Sequence, residues 1–191
     1  GILALQGAFI EHKPILSDLG VEAIEVRLPQ QLENIDGLII PGGESTTIGK
    51  LATTYQLLPH LAELAQNDFP IWGICAGMIV LAKRLIPFYD QPLLEIMELT
   101  VRRNAFGRQV DSFEADILLP CLDEVSTPDE LGQPFHSIFI RAPSMGEVGE
   151  RSEVLARLAP EGPIVAAQQG NLLATAFHPE LTSDTRFHRH F

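Results

Sequence analysis

A cysteine between two glycines, Gly73-Ile74-Cys75-Ala76-Gly77, stands directly after an apolar run and directly before a helix-like one. This is the layout of a nucleophile elbow with sulfur in place of the usual serine oxygen. Such a turn strains the backbone of its central residue, and glycines two residues to either side give it room. The thiol would stand at the amino end of a helix starting near Ala76, where the helix dipole and free N–H groups favour thiolate. A thiolate used for acyl transfer needs a base. Far downstream, Leu172 to Phe177 reads as a strand that runs straight into His178-Pro179-Glu180. Proline biases the residue before it toward an extended conformation. In an extended stretch residues i and i+2 point the same way, so His178 and Glu180 project together as a base and its orienter should. Alone, either motif has a bland reading, a tight turn or a surface His-Pro-Glu corner. Together in one small chain they single out Cys75, His178 and Glu180 as a candidate catalytic set.

The elements that must position these residues alternate in type. Ile2 to Leu5 reads as a strand, Glu11 to Leu19 as a helix ended by Gly20, and Val21 to Leu28 as a strand. Gly37 to Pro41 is a buried strand feeding a glycine loop. Thr46 to Gln66 is one helix or two, with Pro59 as the place for a break. Ile71 to Ile74 precedes the elbow and a helix over Ala76 to Leu85 follows it. This β-α-β order with short apolar strands predicts an α/β fold with a doubly wound, mostly parallel central sheet flanked by helices. Later the pattern changes. Phe113, Ala115, Ile117 and Leu119 alternate with more polar neighbours. Ser137 to Ile140, Ile164 to Gln168 and Leu172 to Phe177 read as further strands, some antiparallel. Ile86 to Pro92 and Pro120 to Pro134 read as loops, the second without an assignable role.

A chain of 191 residues suits one domain, residues 1–191, with a sizeable core. The net charge of −12 and the lack of a basic stripe exclude a nucleic-acid partner. The opening apolar residues are far too few for a membrane or signal segment. With only two cysteines, Cys75 and Cys121, a disulfide would consume the candidate nucleophile. A reducing cytoplasm is therefore expected.

Other motifs rank below the triad. The loop after the third strand, Gly42-Gly43-Glu44-Ser45, stands where open α/β sheets bind ligands. It fails as a phosphate loop, because five residues rather than four separate Gly43 from Gly49 and Leu51 occupies the magnesium-ligand position. Ser45 or Thr46 could cap the next helix. Backbone N–H groups of Ala76 and of the Gly42–Gly43 loop are natural oxyanion donors for the elbow. Arginine grips a carboxylate with two parallel hydrogen bonds, but spacing does not choose among Arg102, Arg103 and Arg108. His60 and His136 read as surface residues, and His188 with His190 lacks the third ligand of a metal site. Cys121 reads as an inert thiol.

Cys75 with His178 and Glu180 resembles the Cys-His-Glu triad of class I glutamine amidotransferases. Further segments narrow the resemblance. Leu5-Gln6-Gly7-Ala8 with Glu11-His12 follows the first strand, and Pro41-Gly42-Gly43-Glu44-Ser45-Thr46-Thr47 follows the third. Arg103-Asn104-Ala105-Phe106-Gly107-Arg108-Gln109 lies mid-chain with Asp111-Ser112-Phe113-Glu114 behind it, and Phe139-Ile140-Arg141-Ala142-Pro143 precedes the H-P-E strand. In this order, over essentially the whole chain, the set resembles the glutaminase subunits of pyridoxal 5'-phosphate synthase. The resemblance implies hydrolysis of L-glutamine to glutamate and ammonia with no metal and no organic cofactor. It implies Gly43, Glu44, Ser45, Arg103, Ile140 and Arg141 as glutamine-site residues, and Gln6, Gly7, Glu11 and His12 as lying close to a partner. That partner would be a barrel-shaped synthase subunit, joined in a large hetero-oligomer, that receives the ammonia. The rivals are the glutaminase component of another amidotransferase, a cysteine-elbow protein of another family, and an inactive adaptor of the synthase.

Overall fold

The computed structural model describes residues 1–106 and 112–191. Gly107, Arg108 and Gln109 of the mid-chain segment, and Asp111 behind it, lie outside the described residues. The first half alternates as expected: β1 (Ile2–Leu3), α1 (His12–Asp18), β2 (Glu25–Val26), β3 (Leu38–Ile40), α2 (Ser45–Thr54), α3 (Leu57–Gln66), β4 (Ile71–Ile74) and α4 (Ala76–Leu81). Strands dominate the rest: β5 (Ala82–Ile86), β6 (Met97–Arg102), β7 (Ser112–Ile117), β8 (Phe135–Ile140), β9 (Ser144–Val148), β10 (Glu153–Arg157), β11 (Ile164–Gln169) and β12 (Leu172–Thr175), followed by α5 (Arg186–His190).

The main sheet runs β2-β1-β3-β4-β12-β11-β9-β6-β5, with β10 paired to β11. From β2 through β12 all neighbours are parallel. Beyond β12 the pairing turns antiparallel through β11, β9 and β6, while β5 and β6 are parallel. β7 and β8 form a separate antiparallel pair. Because β1, β3, β4 and β12 are parallel neighbours, their carboxyl ends lie on one edge. The loops carrying Gln6, Gly42, Cys75 and His178 therefore converge there, where such sheets bind ligands.

Side chains along β4 alternate between the two faces of the sheet. Trp72 packs against His12, His188, Phe187 and Phe191. Gly73, on the other face, lies against Leu81 and Gly77 of α4. Both faces are covered, so β3 and β4 are continuous apolar runs with every residue buried.

Several sequence expectations need correction. The strand expected over Val21 to Leu28 pairs only at Glu25–Val26. The 46–66 segment is two helices, but the break falls at Tyr55 and Gln56, with Gln56 at φ 58°. Pro59 sits in the first turn of α3, where its missing N–H has no partner to lose. The helix after the elbow ends at Leu81, and the next element is β5 beside β6. Buried Ala82 and Leu85 flank exposed Lys83 and Arg84, a spacing that fits the next turn of a helix as well as a strand.

The loop of no assigned role, 120–134, begins as a 3-10 turn over Pro120–Val125. It is held by the buried Arg186, which donates to the carbonyls of Glu130 (3.2 Å), Gln133 (2.8 Å) and Pro134 (2.9 Å) and pairs with Asp184 at 2.6 Å. Cys121 sits in that turn, unpaired, and burial pushes its thiol up to about 11. No helix among the described residues is long and apolar enough to cross a membrane.

Candidate active site

Cys75 joins β4 to α4 at φ 50° and ψ −99°, a conformation L-residues rarely adopt. Its N–H donates to the Thr175 carbonyl at 2.7 Å, so the β4–β12 ladder continues into the turn. A Cβ on Gly77 would strike the Ile40 carbonyl, and one on Gly73 would lie 2.6 Å from Leu81 Cδ1. The two glycines thus supply the close packing that the strained turn requires. β12 delivers His178 beside this turn, and its N–H donates to the Ile138 carbonyl at 2.8 Å. His178 Nδ1 stands 2.7 Å from Glu180 Oε1, and both residues are only 7% exposed. Burial by itself would lower the pKa of His178. Hydrogen bonds to Cys75 and Glu180, and the negative charges of both, outweigh it and carry the imidazole up to about 10.

The loop after β3 closes against the imidazole so tightly that a Cβ on Gly42 would overlap His178 Cε1. The Gly42 carbonyl accepts from Ala8 N–H at 2.9 Å, and Gln6 Oε1 accepts from Glu44 N–H at 2.7 Å. The β1–α1 loop thereby fixes the orientation of this loop. The helix cap is Glu44 rather than Ser45 or Thr46. Its carboxylate accepts from Thr46 N–H (3.2 Å), Thr47 N–H (2.7 Å) and the Thr47 hydroxyl (2.9 Å). Burial works against the charge on Glu44, but these bonds prevail and hold its pKa below the usual carboxylate range. Ser45 is buried and donates its hydroxyl to Gln91 Oε1 at 3.1 Å.

A cavity of about 460 Å³ opens in front of Cys75. Its walls include Gln6, Gly42, Gly43, Glu44, Ser45, Cys75, Ala76, Arg103, Ile140, Arg141 and His178. Of the three arginines considered, Arg103 reaches the cavity, Arg102 is exposed at the end of β6, and Arg108 lies outside the described residues. The Arg103 guanidinium lies 4.3 Å from the Tyr89 ring centroid, and its Nη2 is 3.4 Å from Glu44 Oε1. Sequence reasoning missed Ala8, Ile79, Asn104 and Pro143 in the walls, and Tyr89 and Gln91 behind them. Ala8, Asn104 and Pro143 stand close to candidate residues in the quoted segments, while Ile79, Tyr89 and Gln91 carry no local mark because distant segments bring them together.

Gly7, Glu11 and His12 do not line the cavity. Glu11 is exposed, whereas His12 has no exposed surface. Its ring lies behind Glu180, with Nε2 3.9 Å from Glu180 Oε2. His188 is likewise buried. His60 and His136 are exposed, as expected. Among the described residues no group of three or more His, Cys, Asp or Glu side chains could hold a metal ion. A buried thiol, an imidazole with raised basicity and a carboxylate behind it, facing a polar cavity, can perform acyl transfer.

The sequence matches the family described as the SNO glutamine amidotransferase family over residues 2–191. A relative from Herpetosiphon aurantiacus, named pyridoxal 5'-phosphate synthase subunit PdxT, is 56% identical across all of this chain and 97% of its own. One of the same name from Dehalococcoides mccartyi is 54% identical over all of this chain and 94% of its own. A crystal structure of a glutamine amidotransferase superposes with a TM-score of 0.89 at 48% identity, covering 99% of this chain and 94% of that one. A Thermoplasma acidophilum protein described as a putative GMP synthase subunit shares the fold, with a TM-score of 0.66 at 17% identity over 99% of this chain and 89% of that one.

Proposed function

This chain belongs to the SNO glutamine amidotransferase family, and from that premise we propose that it is the glutaminase subunit of a pyridoxal 5'-phosphate synthase, hydrolysing L-glutamine through Cys75, His178 and Glu180. The observation that carries the reading is the 2.7 Å His178–Glu180 contact beside a strained cysteine, at the mouth of a cavity walled by Arg103 and Glu44. Those two residues offer one charge of each sign, which suits the zwitterionic end of glutamine. Arginine matches the α-carboxylate with parallel hydrogen bonds.

The Cys75 thiolate attacks the side-chain amide carbon. The N–H groups of Ala76 and of the Gly42–Gly43 loop receive the charge developing on the carbonyl oxygen, each worth about 3 kcal/mol of barrier. Protonated His178 gives its proton to the departing nitrogen, which leaves as ammonia, and a γ-glutamyl thioester remains on Cys75. Two influences that raise the His178 pKa, its hydrogen bond to Cys75 and the charge there, vanish once the sulfur is acylated. The imidazole is then free to act as base toward water. The hydroxide so generated attacks the thioester, and glutamate departs as the thiolate reforms. Glu180 holds the imidazole and stabilises its charged form throughout.

Ammonia passes to the synthase subunit. A partner resting on the 6–11 segment reaches the oxyanion loop through the Ala8–Gly42 and Gln6–Glu44 bonds, so docking can set the loop's orientation and activate the glutaminase. The test is pyridoxal phosphate formation by the reconstituted complex carrying Cys75→Ala. Glutamine-dependent formation should vanish while formation from ammonium salts persists. Retained glutamine dependence would overturn the assignment.

A further inference from the structure

Two buried histidines behind the triad take no part in these steps. His12 opens α1 and His188 lies in α5. Both rings meet Trp72 edge-on, with centroids 6.3 and 5.1 Å from the indole. Trp72 in turn donates its indole N–H to the Thr175 hydroxyl at 3.1 Å. The rings are thereby anchored to β4 and β12, the two strands that carry Cys75 and lead to His178.

One proton is shared between His12 Nδ1 and His188 Nε2, 3.0 Å apart. On the far side of the ring, His12 Nε2 faces Glu180 Oε2 at 3.9 Å, and neither atom has a hydrogen-bond partner among the described residues. That arrangement selects a tautomer. A bare Nε2 would set a lone pair against a buried carboxylate, two acceptors with no proton between them. With the proton on Nε2, Nδ1 is left to accept from His188. Burial, together with the neighbouring His188 and His178, pushes His12 down to about 3, and burial pushes His188 down to about 4. The pair stays neutral, so it does not compete with His178 for the single positive charge of the cluster.

We propose that His12, held in one tautomer by His188, is a positioning residue that aims its Nε2–H at the outer oxygen of Glu180 and so keeps the inner oxygen on His178. The inference rests on the triad reading above. At 3.9 Å the contact is electrostatic rather than a hydrogen bond. A shift of about 1 Å closes it, as catalytic contacts do when substrate binds.

The test uses the full chain with its synthase subunit and follows glutamine hydrolysis by four variants: His12→Leu, His12→Gln, Glu180→Gln, and Glu180→Gln combined with His12→Leu. His12→Leu should lower kcat about tenfold, the order expected for one hydrogen bond to a charged group, with KM for glutamine within about twofold of the parent. His12→Gln presents an amide N–H near the Nε2 position and should recover most of that loss. In the Glu180→Gln background, His12→Leu should change nothing further, because residues that act through one another are not additive. A parent-like kcat in His12→Leu overturns the proposal. So does a loss that glutamine at position 12 fails to restore, or one that persists in full in the Glu180→Gln background. Should His12→Leu fail to fold, His12→Gln against the shorter His12→Asn carries the comparison, and equal rates for those two overturn it. A silent Glu180→Gln would sink the triad reading itself. A crippled Glu180→Gln beside silent His12 variants would sink only this inference.

Discussion

Replacing Glu180 with glutamine removes one charge and almost no volume. The carboxylate side chain has no exposed surface and meets His178 Nδ1 at 2.7 Å. A glutamine oxygen can still accept that hydrogen bond, so the ring keeps its place. What disappears is the anion opposite the imidazolium. At an effective dielectric near 20, two unit charges at this spacing attract by about 6 kcal/mol before desolvation is counted. Hydrogen bonds to charged groups in folded proteins net about 1.5–3 kcal/mol. The barrier should therefore rise by about 2–4 kcal/mol, a fall in kcat of about 30- to 1000-fold. The KM for glutamine should hardly move, because Glu180 does not line the cavity. A pH signature accompanies the loss. Glu180 is one of the groups raising the His178 pKa against burial, so without its charge the imidazole titrates lower. The alkaline limb of kcat/KM, where His178 gives up its proton, should shift toward neutral pH. Steady-state glutaminase assays on the assembled complex from pH 6 to 10, spanning the ordinary histidine value of 6.5 and the raised value of about 10, measure both effects. A kcat within about twofold of the parent, only about 0.4 kcal/mol, would refute the reasoning.

Arg103→Lys should raise the KM for glutamine about tenfold while kcat stays within about threefold, since an ammonium can neither form two parallel bonds nor lie flat on Tyr89; an unchanged KM counts against the carboxylate role. His12 and His188 are held below their ordinary value of 6.5, at about 3 and about 4. They cost no stability above about pH 6.5, and below it the unfolded chain binds their protons while the folded chain does not. Urea unfolding should therefore show stability falling by up to about 2.7 kcal/mol per pH unit from these two groups between pH 6 and 4.5. A His12→Leu/His188→Leu variant should flatten that slope, and an unchanged slope would contradict the buried neutral pair. Arg186→Ala strips three loop carbonyls and Asp184 of their donor and should destabilise by about 3 kcal/mol in urea titrations. Its kcat per folded molecule should stay near the parent's, and a stability change under about 0.5 kcal/mol would show that the staple is dispensable.

The parts of this molecule that could be read from sequence are the local ones. The Gly73–Gly77 frame makes a strained turn legible because its requirement lies within five residues. The strand end at Ile74 is marked by the elbow after it, and the His-Pro-Glu corner marks the last strand to within two residues, since it is read to Phe177 and ends at Thr175. That the strands through β4 run parallel followed from alternation, though not which strands are neighbours. Where a signal was weak or shared, the reading failed. The switch from α4 to β5 at Ala82 is hard to see because β5 buries Ala82 and Leu85 around exposed Lys83 and Arg84, a three-residue spacing that a helix face would also show. The break between α2 and α3 went to Pro59, which a first helical turn tolerates, instead of Gln56, whose left-handed backbone no residue type announces. Residues assembled across the fold left no trace. Gln91 under Ser45, Tyr89 under Arg103, and the His12–His188 pair behind Glu180 depend on loops and helices far apart in the chain. The burial of His12 has no local mark for the same reason, since Gln6 lines the cavity and Glu11 is exposed while the ring between α1 and the sheet turns into the core.

The central claim is that Cys75 forms the covalent intermediate, and the most direct test is to catch it. The complex turning over labelled glutamine is quenched in acid, digested, and its cysteine peptides are weighed. The expected result is a γ-glutamyl group on the peptide containing Cys75, released by hydroxylamine and missing from Cys75→Ala and from glutamine-free controls. Steady turnover with Cys75 unmodified under conditions that trap thioesters, or label on Cys121 instead, would contradict it.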